Sequence, residues 1–142
     1  MQEYIDFFQA HPILVCVWVM LFIALIVASV RVMLSKFTVI SQQEAVQLIN
    51  KQNAMVFDVR SQDAFKKGHV VNAIQVSLSD IKNQQTTQLS KYKVRPVITV
   101  CDLGQQSEQA ADLLTKQGFE QVFNLKGGMN EWNAQNLPVT TK

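Results

Sequence analysis

The central segment of the chain reads Val97-Ile98-Thr99-Val100-Cys101-Asp102-Leu103-Gly104-Gln105-Gln106-Ser107. Its β-branched beginning predicts a buried strand, and its polar, glycine-containing middle predicts a loop. Ser107 then opens a helical pattern, because serine is a preferred N-cap residue. Cys101 therefore lies where a strand passes to a helix, at the edge of an α/β sheet where ligands bind.

A thiol at that position faces the free N–H groups at the start of the next helix. Those groups attract anions and stabilise a thiolate relative to a thiol, and the thiolate is the nucleophile. The alternative role of a free cysteine is that of a small buried apolar residue. The polar neighbours Asp102, Gln105 and Gln106 favour a reactive Cys101.

Strands and helices alternate on both sides of this segment. Apolar runs predict strands over residues 38–40, 55–59, 73–76, 97–100 and 122–125. Helix starts are predicted at Ser41 (a capping box with Glu44), at Ser61, at Ser77 and after Gly127-Gly128. This alternation predicts an α/β fold with a five-stranded, mainly parallel sheet and helices on both faces.

An apolar run of 18 residues, from Ile13 to Val30, precedes this part of the chain. As a helix it would be about 27 Å long, close to the thickness of a bilayer core. A cleaved signal peptide is the competing interpretation, but it would have a basic leader, whereas Glu3 and Asp6 make this one acidic. We therefore predict one transmembrane helix over about residues 12–34 in an N-terminal segment 1–36, followed by a domain over 37–142.

The basic residues predict the orientation of this anchor. Arg31 and Lys36 follow the apolar run, and no basic residue precedes it. The positive-inside rule therefore places the N-terminus outside and the domain in the cytoplasm.

Composition limits the class of function. The net charge of +2 in 142 residues is too small to indicate a nucleic-acid partner. Two cysteines cannot build a disulfide framework, and the two histidines and two cysteines lie too far apart to show a metal-ligand spacing. No metal or cofactor is predicted.

Three motifs, in this order, resemble those of the rhodanese (sulfurtransferase) family. The first is Asp58-Val59-Arg60 with Phe65, Gly68-His69 and Asn72-Ala73; the second is Cys101-x-x-Gly104-x-x-Ser107; the third is Gly118-Phe119 with Val122, Leu125, Gly127-Gly128 and Trp132. The resemblance covers about residues 38–138. With the apolar run, the whole is similar to membrane-anchored, single-domain rhodanese-like proteins of the bacterial inner membrane.

The resemblance implies that Cys101 takes up a sulfane sulfur as a persulfide and passes it to an acceptor. The cradle for this anion would be the loop Asp102, Leu103, Gly104, Gln105, Gln106 and Ser107, mainly through its backbone amides. Asp58 and Arg60 would have a structural role near the loop. The implied partners are a sulfur donor, a sulfur acceptor and the lipid bilayer.

The loop departs from the family pattern at two positions. Gln106 stands where arginine is frequent, and Asp102 stands where a basic residue is frequent. An arginine would hold an oxyanion such as thiosulfate through two hydrogen bonds, which glutamine does not do. These departures favour a protein or low-molecular-weight persulfide as donor. The loop also disfavours a cysteine phosphatase. Such an enzyme needs an arginine at the position that Ser107 occupies here.

Two other functions remain open on the sequence. The domain can be an adaptor that binds a membrane or cytosolic protein, with an inactive Cys101, or a redox sensor that uses a thiol of low pKa. The sensor ranks last because no second cysteine lies nearby to resolve a sulfenic acid.

Overall fold

The apolar run forms a single helix. The computed structural model describes residues 12–34 and 37–141, which divide into two compact units, this helix and the residues after it. Helix α1 (Pro12–Leu34) contains a 19-residue segment, Pro12–Val30, of mean hydropathy 3.1. Its length and composition suffice to cross a membrane, a property that anchors and signal sequences share. The charges of Glu3, Asp6 and Lys36 lie outside the described residues, so the orientation stays a prediction.

The second unit contains a five-stranded sheet. The strands are β1 (Thr38–Ile40), β2 (Met55–Asp58), β3 (His69–Val70), β4 (Ile74–Gln75), β5 (Val97–Val100), β6 (Val122–Leu125) and β7 (Val139–Thr140). The main sheet has the order β1-β6-β5-β2-β4, and all its neighbouring pairs are parallel. The predicted α/β fold with a five-stranded parallel sheet is confirmed.

The helices predicted after Ser41, Ser61 and Ser77 begin where their caps were predicted. The helices of this unit are α2 (Gln42–Gln52), α3 (Gln62–Lys67), α4 (Leu78–Lys82), α5 (Gln105–Lys116) and α6 (Gly128–Ala134), with a 3₁₀ helix at Thr87–Tyr92. Ser41 and Glu44 form the full capping box of α2. The hydroxyls of Ser61 and Ser77 accept hydrogen bonds from the amides of Ala64 and Asp80, which satisfies free donors at the starts of α3 and α4.

Two apolar cores cover the two faces of the sheet. Alternate strand residues point to opposite faces, so Val97 and Phe57 belong to the core on the α5 side, whereas Ile98 and Val56 belong to the core on the side of α2 and α6. Residues 97, 99 and 101 share one face by this alternation. Cys101 accordingly joins the core on the α5 side.

The structure contains one sheet that the sequence did not predict. β3 and β7 pair antiparallel, His69 opposite Thr140 and Val70 opposite Val139. Two-residue strands are too short to show an alternating pattern, and these two are about seventy positions apart in the chain.

The helix predicted from Ser77 toward Leu89 is also interrupted. α4 ends at Lys82, and Gln84 takes the left-handed backbone conformation with φ +54°. A 3₁₀ helix then follows.

Because the five strands run in one direction, the two ends of the strands form two different surfaces. The strands β1, β2, β4, β5 and β6 all begin at one end of the sheet, which we call the amino pole. They all end at the opposite end, which we call the carboxyl pole. The chain enters the sheet at the amino pole, since β1 begins at Thr38.

Candidate active site

Cys101 follows the last residue of β5 and lies at the carboxyl pole. The residue is only 3% exposed. Its Sγ accepts a hydrogen bond of 3.0 Å from the Gly104 amide and one of 3.3 Å from the Ser107 hydroxyl. The sulfur therefore faces the first turn of α5.

Gly104 makes this turn. Its φ of +100° lies in the left-handed region, where glycine is favoured, and it serves as N-cap of α5. The helix thus begins at Gln105, two residues before the start predicted at Ser107, and that prediction is wrong. Ser107 is fully buried within the first turn, so its hydroxyl is directed at Sγ instead of capping the helix.

The surroundings of the sulfur shift its acidity. Burial raises the pKa of Cys101, but hydrogen bonds from the Ser107 hydroxyl and from the amides of Ser107, Gly104 and Leu103 lower it. The hydrogen bonds prevail, and the pKa of Cys101 lies below its ordinary value. At any given pH the arrangement therefore raises the fraction of Cys101 that is a thiolate, the nucleophilic form.

The remaining loop residues lie around this sulfur at the surface. Asp102, Leu103, Gln105 and Gln106 are exposed, whereas Gly104 and Ser107 are buried. The amides of Gln105 and Gln106, predicted as part of the cradle, lie in the first turn of α5 and make no hydrogen bond to Sγ in the structure.

The start of α6 supports the loop from behind. The amides of Met129 and Asn130 donate to the carbonyls of Cys101 and Asp102 at 2.8 and 3.1 Å. Gly128 permits this approach, because a Cβ there would overlap the Cys101 carbonyl and lie 2.6 Å from that of Asp102. From the sequence, the Gly127-Gly128 pair was identified as a helix start and as part of the third motif, but this contact with the Cys101 loop was not predicted.

Two buried polar residues hold the ends of the turn. The Thr99 hydroxyl donates to the Ser107 carbonyl at 2.9 Å, and the Asn124 side-chain amide donates to the Gly104 carbonyl at 3.1 Å. Sequence reasoning missed both residues. The available signal was a polar residue inside each of two apolar strands, since buried polar groups need a specific partner.

Asp58 and Arg60 form an ion pair at the same pole. The Arg60 Nε and Nη2 atoms donate to the two carboxylate oxygens of the fully buried Asp58, at 2.9 and 2.7 Å. Nη2 also donates to the Gly68 carbonyl at 2.7 Å, and Nη1 lies 3.4 Å from the Asp102 carboxylate. Burial lowers the pKa of Arg60, whereas its hydrogen bonds and charge interactions with Asp58 and Asp102 raise that pKa by more. The net pKa is raised, so the guanidinium stays charged. The pair links β2 to the Cys101 loop.

Within residues 12–34 and 37–141, no three His, Cys, Asp or Glu side chains lie close enough together to hold a metal ion.

Replacing Ser107 by alanine is expected to raise the pKa of Cys101, because the hydroxyl is a principal group that lowers it. The thiolate would then be lost at a higher pH than in the wild-type protein. The pH dependence of alkylation by iodoacetamide measures this, in a Cys16→Ser background that leaves Cys101 as the single thiol. An alkylation midpoint unchanged by Ser107→Ala, with Gln106→Ala as the matched control, would contradict the expectation.

Comparison with known proteins agrees with this geometry. Residues 41–135 match the family described as rhodanese-like domain. The chain is 43% identical over 139 residues to YibN, an uncharacterised protein of Escherichia coli, covering 98% of this chain and 97% of that protein. It is 35% identical over 95 residues to the thiosulfate sulfurtransferase GlpE of Coxiella burnetii, covering 67% of this chain and 86% of that enzyme.

A solved structure shows the same fold. The rhodanese-related protein of Thermoplasma volcanium superposes with a TM-score of 0.66 at 21% identity, covering 75% of this chain and all of that one. The family match spans the strands β2, β4, β5 and β6, the Cys101 loop and the glycine pair that supports it. The chain therefore belongs to the rhodanese-like domain family.

Proposed function

We propose that this protein is a membrane-tethered sulfurtransferase that carries sulfane sulfur as a persulfide on Cys101. The observation that carries the proposal is the Sγ atom at the carboxyl pole, held by the Gly104 amide and the Ser107 hydroxyl, with its pKa lowered by them. The relationship to GlpE, whose name states thiosulfate sulfurtransferase activity, supports the same class of reaction.

The reaction needs two displacements at sulfur. The Cys101 thiolate attacks the outer sulfur of a donor persulfide R–S–SH. A bond forms between Sγ and that sulfur while the S–S bond of the donor breaks, and R–S⁻ leaves with the electron pair. A nucleophilic acceptor then attacks the outer sulfur on Cys101. The bond to Sγ breaks, and the thiolate is regenerated without net oxidation.

The first turn of α5 suits the intermediate. An added sulfur lies about 2 Å beyond Sγ. The amides at the start of a helix have no intrahelical partner, and we assign those of Gln105 and Gln106 to the outer sulfur, where the positive end of the helix dipole also stabilises an anion. These two amides would therefore bind the outer sulfur of the persulfide and not the Sγ atom of the resting thiolate.

The loop favours a thiol-derived persulfide over thiosulfate as donor. The side chain of Asp102, the residue after Cys101, is 61% exposed, and its negative charge would repel a dianion at short range. The Arg60 guanidinium, which lies near the loop, is already engaged by Asp58, Gly68 and Asp102. Gln106 provides no charge in compensation.

The tether is the helix α1, which we propose anchors the chain in the bacterial inner membrane with its N-terminus outside and the domain in the cytoplasm. Its length and hydropathy support this, and the relative from Escherichia coli aligns with 98% of the chain, which takes in this helix. A reducing cytoplasm would keep the Cys101 thiol free between turnovers.

The test is to identify the atom that carries the sulfur. We expect the full chain, treated with glutathione persulfide, to gain the mass of one sulfur on the peptide that contains Cys101 and to lose it on addition of cyanide, with a smaller gain from thiosulfate. Cys16 provides the internal comparison. An unmodified Cys101 in a folded protein, with both donors, would favour the adaptor function instead.

A further inference from the structure

The turns at the amino pole lie opposite the active site and form one surface. The loop before β5 contacts the end of α2, where Arg95 donates to the Asn53 carbonyl at 2.5 Å. It also contacts the turn after α5, where the Glu120 amide donates to the Lys93 carbonyl at 3.0 Å. Three separate segments thus meet at this end of the sheet.

This surface is basic. The helix ends and turns at this pole carry the cations Lys51, Lys91, Lys93, Arg95 and Lys116. The acidic side chains beside them are Glu120 and Asp112, of which Asp112 pairs with Lys116 at 2.7 Å. Lys91 and Arg95 both lie over the ring of Tyr92, at 5.0 and 5.7 Å from its centre, which holds them together at the surface. The excess of positive charge is concentrated at this pole, because the net charge of the whole chain is only +2.

A polar cavity of about 210 Å³ opens on the same surface. Its lining consists of Gln84, Thr86, Thr87, Ser90, Lys93, Lys116 and Gln117. Its wall therefore contains two ammonium groups, three hydroxyls and two amides, and no carboxylate among the described residues. Of these groups, Lys116 also pairs with Asp112, and the Gln117 amide donates to the Ile81 carbonyl. Ammonium and hydroxyl donors of this kind suit a phosphate group.

Two further features point to a membrane surface. Val94, between the cations Lys93 and Arg95, is an apolar side chain left 68% exposed. The chain also enters the sheet at this pole, at Thr38, and only three residues separate Thr38 from Leu34, the last residue of α1.

We propose that the amino pole docks on the anionic surface of the phospholipid bilayer, with a lipid phosphate in the cavity between Lys93 and Lys116 and with Val94 against the headgroup region. The inference extends the proposed tether, on which it rests. Juxtamembrane basic clusters bind anionic lipid in this way.

Docking would fix the direction of the active site. Cys101 lies at the opposite end of β5, about 13 Å along the strand. The mouth formed by Asp102, Leu103, Gln105 and Gln106 would then face water, so that donors and acceptors reach the sulfur from the aqueous phase.

Hydrogen exchange of the full chain in lipid nanodiscs tests the proposal. Discs of phosphatidylcholine alone are compared with discs that also contain phosphatidylglycerol, and amide exchange is followed over residues 84–96 and 114–121. We expect slower exchange in the anionic discs, reversed at high salt. The variant Lys91→Glu/Lys93→Glu should weaken docking by at least about fivefold for each lysine lost. The matched variant Lys66→Glu/Lys67→Glu, on exposed positions of α3, should leave it unchanged.

Three outcomes would overturn the docking surface. The first is equal amide exchange in both kinds of disc. The second is an equal loss of docking in the two double lysine variants. The third is the same slowing of exchange in phosphatidylcholine discs on addition of inorganic phosphate, which would show a site for a soluble anion. A chain that leaves the discs at high salt would instead refute the tether. A retained chain without slowed exchange refutes the docking alone.

Discussion

Replacing Cys101 by serine is expected to lower the rate of sulfur transfer by at least about 1000-fold, the scale of losing a covalent nucleophile. A serine hydroxyl is not ionised at neutral pH and forms no stable bond to sulfane sulfur. The donors Gly104 and Ser107 would remain, so the substitution removes the nucleophile and leaves its surroundings in place. Thiocyanate formed from glutathione persulfide and cyanide measures the rate.

The other cysteine gives the matched control. Cys16 lies in α1, outside the domain, and Cys16→Ser should retain the wild-type rate. Transfer that survives Cys101→Ser would refute the proposed mechanism. A cell that depends on the protein and grows equally well with Cys101→Ser would show that the domain acts as an adaptor, whatever its chemistry in solution.

Replacing Arg60 by alanine is expected to lower the free energy of unfolding by about 3–5 kcal/mol, the usual cost of leaving a buried charge without its partner. Asp58 is fully buried, and the Arg60 guanidinium donates three hydrogen bonds to its carboxylate. The substitution would also release the Gly68 carbonyl and the Asp102 side chain, so the Cys101 loop should lose activity as well.

Urea unfolding in non-ionic detergent measures this loss of stability. Trp132 is 2% exposed and reports on the domain once Trp18 of α1 is replaced by phenylalanine. Arg60→Lys keeps the charge but not the paired geometry and should fall between wild type and Arg60→Ala. Exposed Lys66→Ala should change stability by less than about 0.5 kcal/mol. An Arg60→Ala protein as stable as that control would mean that the buried pair contributes little.

Local features of the fold were readable from the amino-acid order. The strands over 38–40, 97–100 and 122–125 and the caps at Ser41, Ser61 and Ser77 depend on neighbouring residues, and the structure has them at these positions. The local signal gave the wrong start for α5, because the backbone conformation of a glycine determines where that helix begins. Gly104, in the left-handed region, took the cap of α5 and left Ser107 to face the sulfur.

The sequence by itself determined that a cysteine stands between a buried strand and a helix, because that placement follows from apolar periodicity and turn residues a few positions apart. Only the tertiary structure decided what surrounds it. The order β1-β6-β5-β2-β4 places β6 and β2 on either side of β5, which brings Asn124, Gly128 and Arg60 to the loop from both flanks. The same parallel order gathers Lys51, Lys93 and Lys116 at the opposite end. These contacts join residues far apart in the chain, and periodicity carries no information about which strands become neighbours.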